Sequence, residues 1–307
     1  VIDAMMRTGR IVVTCTSTHD RLESLFYAVT SILRQSVQPD VIYINLPKLS
    51  LRDRQGDAQG IIDIPEWLDH ELIEARYMNT PGPYQKLISV YEVVSPNDLV
   101  ITIDDNVIYQ REWLAKVVTA AERYPNAVIC GRARVISQNV LGRWKSYHRW
   151  PYVHHITYAF WILPVGCAGI AYRKSLLCEA FLRDRQCLPM ASVNEDLWFR
   201  TASLLEGAYV YVDPKLNTGN IVLSNNELPI KAVPSLKSQS RLKRAWLAVK
   251  LSALGYFGAE IGKSDKAWRT VNQYLLHYCA MSDPFRDDID EGRDRRIVKK
   301  KYPSRIK

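Results

Sequence analysis

Apolar and polar positions along the chain follow two periods, one of strands and one of helices. Residues 10–16 (RIVVTCT) are apolar and β-branched and predict a buried strand. Polar residues Ser17 to Asp20 follow, after which Leu22, Leu25, Phe26, Val29, Ile32 and Leu33 recur at helical spacing. Asp20 and Glu23 have the spacing of a capping box at the start of that helix. Pro39 closes the connection to a second strand at 41–46 (VIYINL). A strand–helix–strand unit of this kind opens a parallel sheet. Beyond a polar stretch at 48–70, the pattern predicts a short strand at 71–77, a helix from Tyr84 to Val94 and the strongest strand of the chain at 98–103 (DLVITI). A helix at 112–123, strands at 127–130 and 165–172, a helix from Asp196 to Leu205 and a strand from Tyr209 to Val212 complete the series. The expected class is α/β, a central mostly parallel sheet flanked by helices, with a helical C-terminal extension. In that extension Leu242, Trp246, Val249, Ala253 and Phe257 share one face of a helix over 241–257, with Arg241, Lys243, Arg244 and Lys250 away from it. This fits a helix lying in a membrane interface and equally one packed on the protein's own core.

Ligands of open α/β sheets bind beyond the carboxyl ends of the strands. Asp104-Asp105-Asn106 stands at such an end, directly after the strand at 98–103. Carboxylates there can hold a divalent cation that neutralises a diphosphate, or they can be an ordinary turn pair on the surface. A second acidic group, Asn194-Glu195-Asp196-Leu197-Trp198, opens a helix. Adjacent carboxylates at that position suit a general base, and they also suit the helix dipole with no chemistry attached. Gly166 and Gly169, in PVGCAGIAY, let the backbone approach a ligand closely or mark a strand bulge. Residues 144–161 are unusually aromatic, with Trp144, Tyr147, Trp150, Tyr152, Tyr158 and Trp161. That segment is either a face for the C–H surfaces of a sugar or a buried cluster. His154-His155 has no partner at a metal-binding spacing.

Four segments in order, TSTHDRLESL, GPYQKLISV, ITIDDNVIYQREWL and NEDLWF, resemble the bacterial GT-A glycosyltransferases of the family-2-like kind, which use nucleotide-sugar donors. The resemblance covers roughly residues 10–213. It implies a Rossmann-like GT-A domain over 1–230, with a nucleotide-sugar half at about 10–110 and an acceptor half at about 111–230, and a basic helical extension over 231–307. It places Thr16, Ser17, Arg21, Lys86, Asp104 and Asp105 at the donor, and Asp105 and Asn106 on a Mn²⁺ or Mg²⁺ ion. Asn106 stands where the family usually has a third aspartate; its amide oxygen can ligate a hard cation but brings no negative charge. The resemblance makes Asp196 the base that deprotonates an acceptor hydroxyl in an inverting transfer, with Glu195 tuning it. Trp198, Gly166 and Trp161 are the candidates for the acceptor, a glycan or lipid-linked molecule of cell-surface polysaccharide synthesis; Trp198, an aromatic in a helix, also reads as core.

The 307 residues carry 41 Lys and Arg against 32 Asp and Glu, and the excess lies late in the chain. Residues 231–307 have 18 basic and 8 acidic side chains, while 1–230 are near neutral. An anionic membrane surface, a glycan or a nucleic acid would each suit a basic end, as would plain solvation; no motif supports nucleic acid. Cys15, Cys130 and Cys167 lie in apolar runs and no CxxC pair occurs, which favours a reducing compartment. The apolar run Tyr158 to Tyr172 is too short to span a bilayer and contains Pro164. A cytoplasmic protein follows, peripheral on the cytosolic membrane face if the basic end engages it. Two rivals remain. A nucleotidyltransferase would carry a glycine-rich, basic loop after the first strand, which TCTSTHDRLES lacks. A non-catalytic nucleotide- or glycan-binding relative is made credible by Asn106.

Overall fold

The computed structural model describes residues 9–48, 65–79, 82–167, 169–183, 194–223, 253–257 and 261–278. Its strands in chain order are β1 (Ile11–Thr16), β2 (Val41–Pro47), β3 (Ile73–Met78), β4 (Leu99–Thr102), β5 (Val107–Ile108), β6 (Ala127–Cys130), β7 (Ala133–Val135), β8 (Thr157–Ala159), β9 (Ile162–Pro164), β10 (Ile170–Arg173), β11 (Tyr209–Val212) and β12 (Ile221–Val222). The helices are α1 (Leu22–Leu33), α2 (Gln85–Tyr91), α3 (Trp113–Arg123), α4 (Glu179–Arg183), α5 (Glu195–Leu205) and α6 (Lys263–Tyr278).

Eight strands form the central sheet in the order β3-β2-β1-β4-β10-β6-β11-β8. β1, β2, β3 and β4 pair in parallel, as do β6 and β11, while β10 is antiparallel to both β4 and β6 and β8 is antiparallel to β11. Six strands therefore run one way and two the other, a mixed but mostly parallel sheet. The reversal at β10 matters for the site. The segment entering β10 lies at the same edge of the sheet as the carboxyl ends of β1, β4 and β6.

Both faces of the sheet are covered, which is why its strands read as continuous apolar runs rather than alternating ones. Ile11, Val13, Cys15, Leu99, Ile101 and Ile129 face one core, closed by Leu25, Val29 and Ile32 of α1 and Leu114, Val117 and Val118 of α3. Val12, Val100, Val128, Ile170, Tyr172 and Val210 face the other, closed by α2, α4, α5 and α6. Helix α6 belongs to this second core through Ala267, Trp268, Val271 and Tyr274. Asp265 near its start accepts hydrogen bonds from the N–H groups of Tyr147, Ile261 and Gly262. Part of the C-terminal extension is thus built into the sheet domain. The boundary at 230/231, most of the helix expected over 241–257 and the basic end at 295–307 lie outside the described residues. No helix among the described residues is long and apolar enough to cross a membrane.

Three local expectations change. The capping box at Asp20 and Glu23 does not form: a 3-10 turn at His19–Arg21 precedes α1, and neither Thr18 nor Arg21 caps with its side chain. The strand expected at 165–172 begins only at Ile170, because the chain turns first. The Gly169 N–H bonds the Gly166 carbonyl oxygen at 3.2 Å, and Gly169 has φ +94° with Trp113 packed where a Cβ would stand. Trp198, a candidate acceptor platform, is 0 % exposed and packs against Tyr84, Phe181 and Phe199. A ring with no accessible face cannot stack on a sugar, so Trp198 is a core residue. Replacing it, W198A, should cost about 3–5 kcal/mol of unfolding free energy, as large-to-small changes in packed cores do. Urea unfolding checks this, and a loss below about 1 kcal/mol would contradict the packing.

Candidate active site

The site is assembled from the ends of β1 and β4, the first turn of α2, the turn entering β10 and the start of α5. At the end of β1 the Ser17 hydroxyl donates to Asp105 Oδ2 at 2.6 Å, and Arg21 Nη2 lies 2.6 Å from Asp105 Oδ1. Asp105 is only 4 % exposed, and burial raises its pKa above the usual carboxylate value while Ser17 and Arg21 pull the other way. Thr16 Oγ1 and Arg21 Nε are buried and have no hydrogen-bond partner among the described residues. Polar atoms of this kind are costly unless something satisfies them.

Lys86 stands at the centre. It is 5 % exposed, and α2 is pinned to β1 by a 2.6 Å hydrogen bond from Thr14 Oγ1 to the Lys86 carbonyl oxygen. Its Nζ is 3.4 Å from Asp104 Oδ1 and 3.7 Å from Glu195 Oε1. Burial alone would lower the pKa of the ammonium, but the charges of Asp104, Glu195 and Asp196 outweigh it and leave the pKa raised. The positive charge is therefore permanent.

Asn194 caps α5, its side-chain oxygen accepting from the Leu197 N–H at 3.0 Å, and this sets the direction of the next two carboxylates. Asp196 Oδ2 accepts the Gly166 N–H at 3.0 Å. Its other oxygen, Oδ1, is buried without a hydrogen-bond partner among the described residues. A Cβ on residue 166 would lie 2.8 Å from that oxygen and 3.4 Å from Lys86 Nζ, so glycine keeps this space open. Burial, then the neighbouring Glu195 charge, push the Asp196 pKa up to about 7, against the opposing pull of Lys86 and the Gly166 N–H. A carboxylate poised there can exchange a proton near neutrality.

Thr16, Ser17, Arg21, Lys86, Asp104, Asp105, Gly166, Glu195 and Asp196 are thus placed at one edge of the sheet. Trp161, 39 % exposed, precedes β9, the strand that leads to Gly166. Asn106 is drawn to the β5–β12 ribbon: its carbonyl oxygen accepts the Leu223 N–H at 2.8 Å and its side-chain amide donates to the Leu223 carbonyl at 3.4 Å. At a diphosphate a hard divalent cation is held by one or two carboxylates together with phosphate oxygens and water. Here Asp105 has both oxygens occupied, Asn106 is neutral, and no three His, Cys, Asp or Glu side chains converge on a metal-sized gap among the described residues. These side chains leave a cation few free oxygens, and Arg21 and Lys86 stand as positive charges beside Asp105 and Asp104.

Two functional candidates are not evident from the sequence, Arg132 and Arg134, which follow β6 at the same edge. Arg132 Nη1 donates to Cys167 Sγ at 2.8 Å, next to Gly166. Their spacing in GRARV reads as ordinary strand alternation.

Residues 94–181 match the family model described as Glycosyl transferase family 2. The match covers these residues alone, less than a third of the chain. The family 2 segment contains Asp104, Asp105, Asn106, Arg132 and Gly166, while Arg21, Lys86, Glu195 and Asp196 lie outside it and join it only in space. No curated protein matches the chain. Among solved structures, S. aureus TarS is similar at 12 % identity and TM-score 0.47, over 97 % of this chain and 50 % of that one. S. aureus TarS 1–349 in complex with UDP is similar at 12 % identity and TM-score 0.42, over 89 % and 72 %. The chain spans about half the length of the first.

The Asp196 environment has a thermodynamic signature. In the unfolded chain Asp ionises near pH ~3.9, whereas in the folded chain Asp196 holds its proton to about 7. Between those values the folded state binds the extra proton, so its stability falls as pH rises through this window. Melting temperatures from pH 4 to 8 should show the wild type losing stability relative to D196N as pH rises. Parallel curves would mean that Asp196 titrates normally.

Proposed function

We propose that the protein moves a sugar from a nucleotide-sugar donor to a hydroxyl of a glycan or lipid-linked acceptor, with inversion at the anomeric carbon. The observation that supports this most is Asp196: one oxygen fixed by the Gly166 N–H, the other buried and unpartnered beside a glycine-made space, with a pKa of about 7. The acceptor hydroxyl donates to Oδ1 and loses its proton there as it attacks. One base suffices for a single displacement, and the course is then inverting. Glu195, facing Lys86, raises the basicity of Asp196 through its charge.

The donor lies across the ends of β1 and β4. Thr16 Oγ1 and Arg21 Nε gain partners from it, and its leaving nucleoside diphosphate meets the charges of Arg21 and Lys86. Fixed cations aimed at developing charge are a large source of rate acceleration. Mn²⁺ or Mg²⁺, expected from the family resemblance, binds weakly on this reading. The donor residues precede position 110 and Gly166, Glu195 and Asp196 follow it, in keeping with nucleotide-sugar and acceptor halves. Synthesis of a cell-surface polysaccharide, at the cytosolic membrane face through the basic end of the chain, is the setting we favour.

Melting temperatures with UDP, GDP, CDP and dTDP, each with and without Mn²⁺, test the donor half. One nucleotide should stabilise the protein, by about 2.7 kcal/mol at a hundredfold excess over Kd, and Mn²⁺ should change that shift little. No shift with any of the four would overturn the reading. For the chemistry, D196N should lower kcat by about 10²–10⁴-fold and leave nucleotide binding intact. In the wild type kcat/KM should rise with pH through about 7 as Asp196 ionises. E195Q removes a like charge and should move that limb to lower pH. Nucleotide binding with no turnover, unchanged by D196N, would instead favour a non-catalytic relative, the reading that Asn106 suggests.

A further inference from the structure

Beside the proposed base runs a short ladder of alternating arginines and tyrosines. Arg134 lies with its guanidinium carbon 5.0 Å from the centre of the Tyr147 ring and 3.9 Å from that of Tyr152. On the Tyr152 ring Arg132 follows, at 4.6 Å. Arg134 is fixed by donating to the Trp150 carbonyl at 2.7 Å and the Tyr152 hydroxyl at 2.6 Å. Arg132 is held by its contact with Cys167 Sγ. Both ends of the ladder reach Asp196: Cys167 adjoins Gly166, whose N–H holds Asp196, and the Tyr147 phenol has its pKa raised by burial first and by the Asp196 charge next.

The electrostatics of the ladder are one-sided. Neither arginine forms an ion pair with a carboxylate among the described residues, and Arg132 is exposed. From Arg123 to Cys178 the sequence contains no Asp or Glu at all, but eight Lys and Arg and three of the six His. Solvated surface lysines and arginines ordinarily alternate with acids; a 56-residue stretch without one leaves a local positive field. Aromatic faces hold a guanidinium in place while leaving its N–H groups free to donate, and the planar fork suits phosphate or carboxylate oxygens.

This charge is poorly placed for the donor's diphosphate. In the order β1-β4-β10-β6, Arg132 at the end of β6 is three strands from the end of β1. At roughly 4.8 Å per strand this is about 14 Å from the Arg21 side. Arg132 instead touches Cys167, next to the Gly166 whose N–H holds Asp196. Resting on the proposed glycosyl transfer, we infer that Arg132, stacked on Tyr152 and backed by Arg134, is a specificity-determining residue that binds an oxyanion of the acceptor, a phosphodiester or a carboxylate near the accepting hydroxyl. The acceptor is an anionic glycan rather than a neutral one.

The test uses the full chain saturated with whichever nucleoside diphosphate stabilises it. Three probes are titrated by isothermal calorimetry: a glycerol-phosphate oligomer, an oligogalacturonate and a neutral malto-oligosaccharide. At least one anionic probe should bind more tightly than the neutral one and weaken with salt, and the better of the two identifies the oxyanion. R132A should weaken that probe about tenfold, as the loss of a hydrogen bond to a charged group does, with R132K recovering part of the affinity. Arg132 is exposed, so the fold and the nucleotide-induced rise in melting temperature should survive both changes. If nucleotide binds but all three probes bind equally, or if R132A leaves anionic binding unchanged, the inference falls and the transferase reading stands. An R132A loss confined to the nucleotide would also overturn it, assigning Arg132 to the donor. Failure of every nucleotide to bind the wild type removes the reading on which the inference rests.

Discussion

The Lys86 ammonium is the interaction on which the site depends. Asp104, Glu195 and Asp196 come from two elements far apart in sequence, and in the absence of a cation their mutual repulsion would push those elements apart. A buried lysine normally tends to lose its proton. Here the carboxylates prevent that, and the lysine in turn permits them to converge. The arrangement is anchored by backbone rather than by flexible side chains, since Thr14 in the middle of β1 holds the Lys86 carbonyl. The positive charge is thus a fixture of the sheet. Buried charge pairs are poor sources of stability, so their presence at the edge of a well-packed domain fits chemistry better than folding.

Much of this was legible in the sequence, and the parts that were not share a cause. Strands buried on both faces, such as β1 and β4, announce themselves as unbroken apolar runs, and the polar residues at their ends are then located without further information. Asp104 and Asp105 could be named for that reason, Glu195 and Asp196 as adjacent carboxylates at a helix start, Gly166 as a glycine allowing close approach, and Lys86 through the family resemblance. Partners could not. Ser17 and Asp105 are 88 residues apart, and no local pattern says that a neighbouring arginine will occupy the same carboxylate. Trp198 failed for a different reason. Helix α5 is buried on every side from Leu197 to Leu204, so no amphipathic pattern near its cap marks which side chains stay accessible. The arginine ladder is invisible for the same reason as the Ser17–Asp105 bond, because its rungs come from separate segments that only the fold brings together.

The reversal of β10 completes the design. Were β10 parallel to β4, the segment before it would enter at the opposite edge of the sheet, and Gly166 could not reach Asp196. Running antiparallel between β4 and β6, it delivers a backbone N–H and a side-chain-free space to the carboxyl edge, two strands from the end of β1. That spacing is about 10 Å, room for a sugar between the polar residues at the end of β1 and Asp196, with Lys86 close to both Asp104 and Asp196. The single displacement we propose places attack and departure on opposite faces of one carbon. Positive charge stands at two places along this edge: Arg21 and Lys86 beside Asp105 and Asp104, and Arg132 and Arg134 after β6. As the base we propose, Asp196 has a pKa raised by burial and by Glu195, and so tolerates Lys86 beside it without becoming too acidic to work near neutrality.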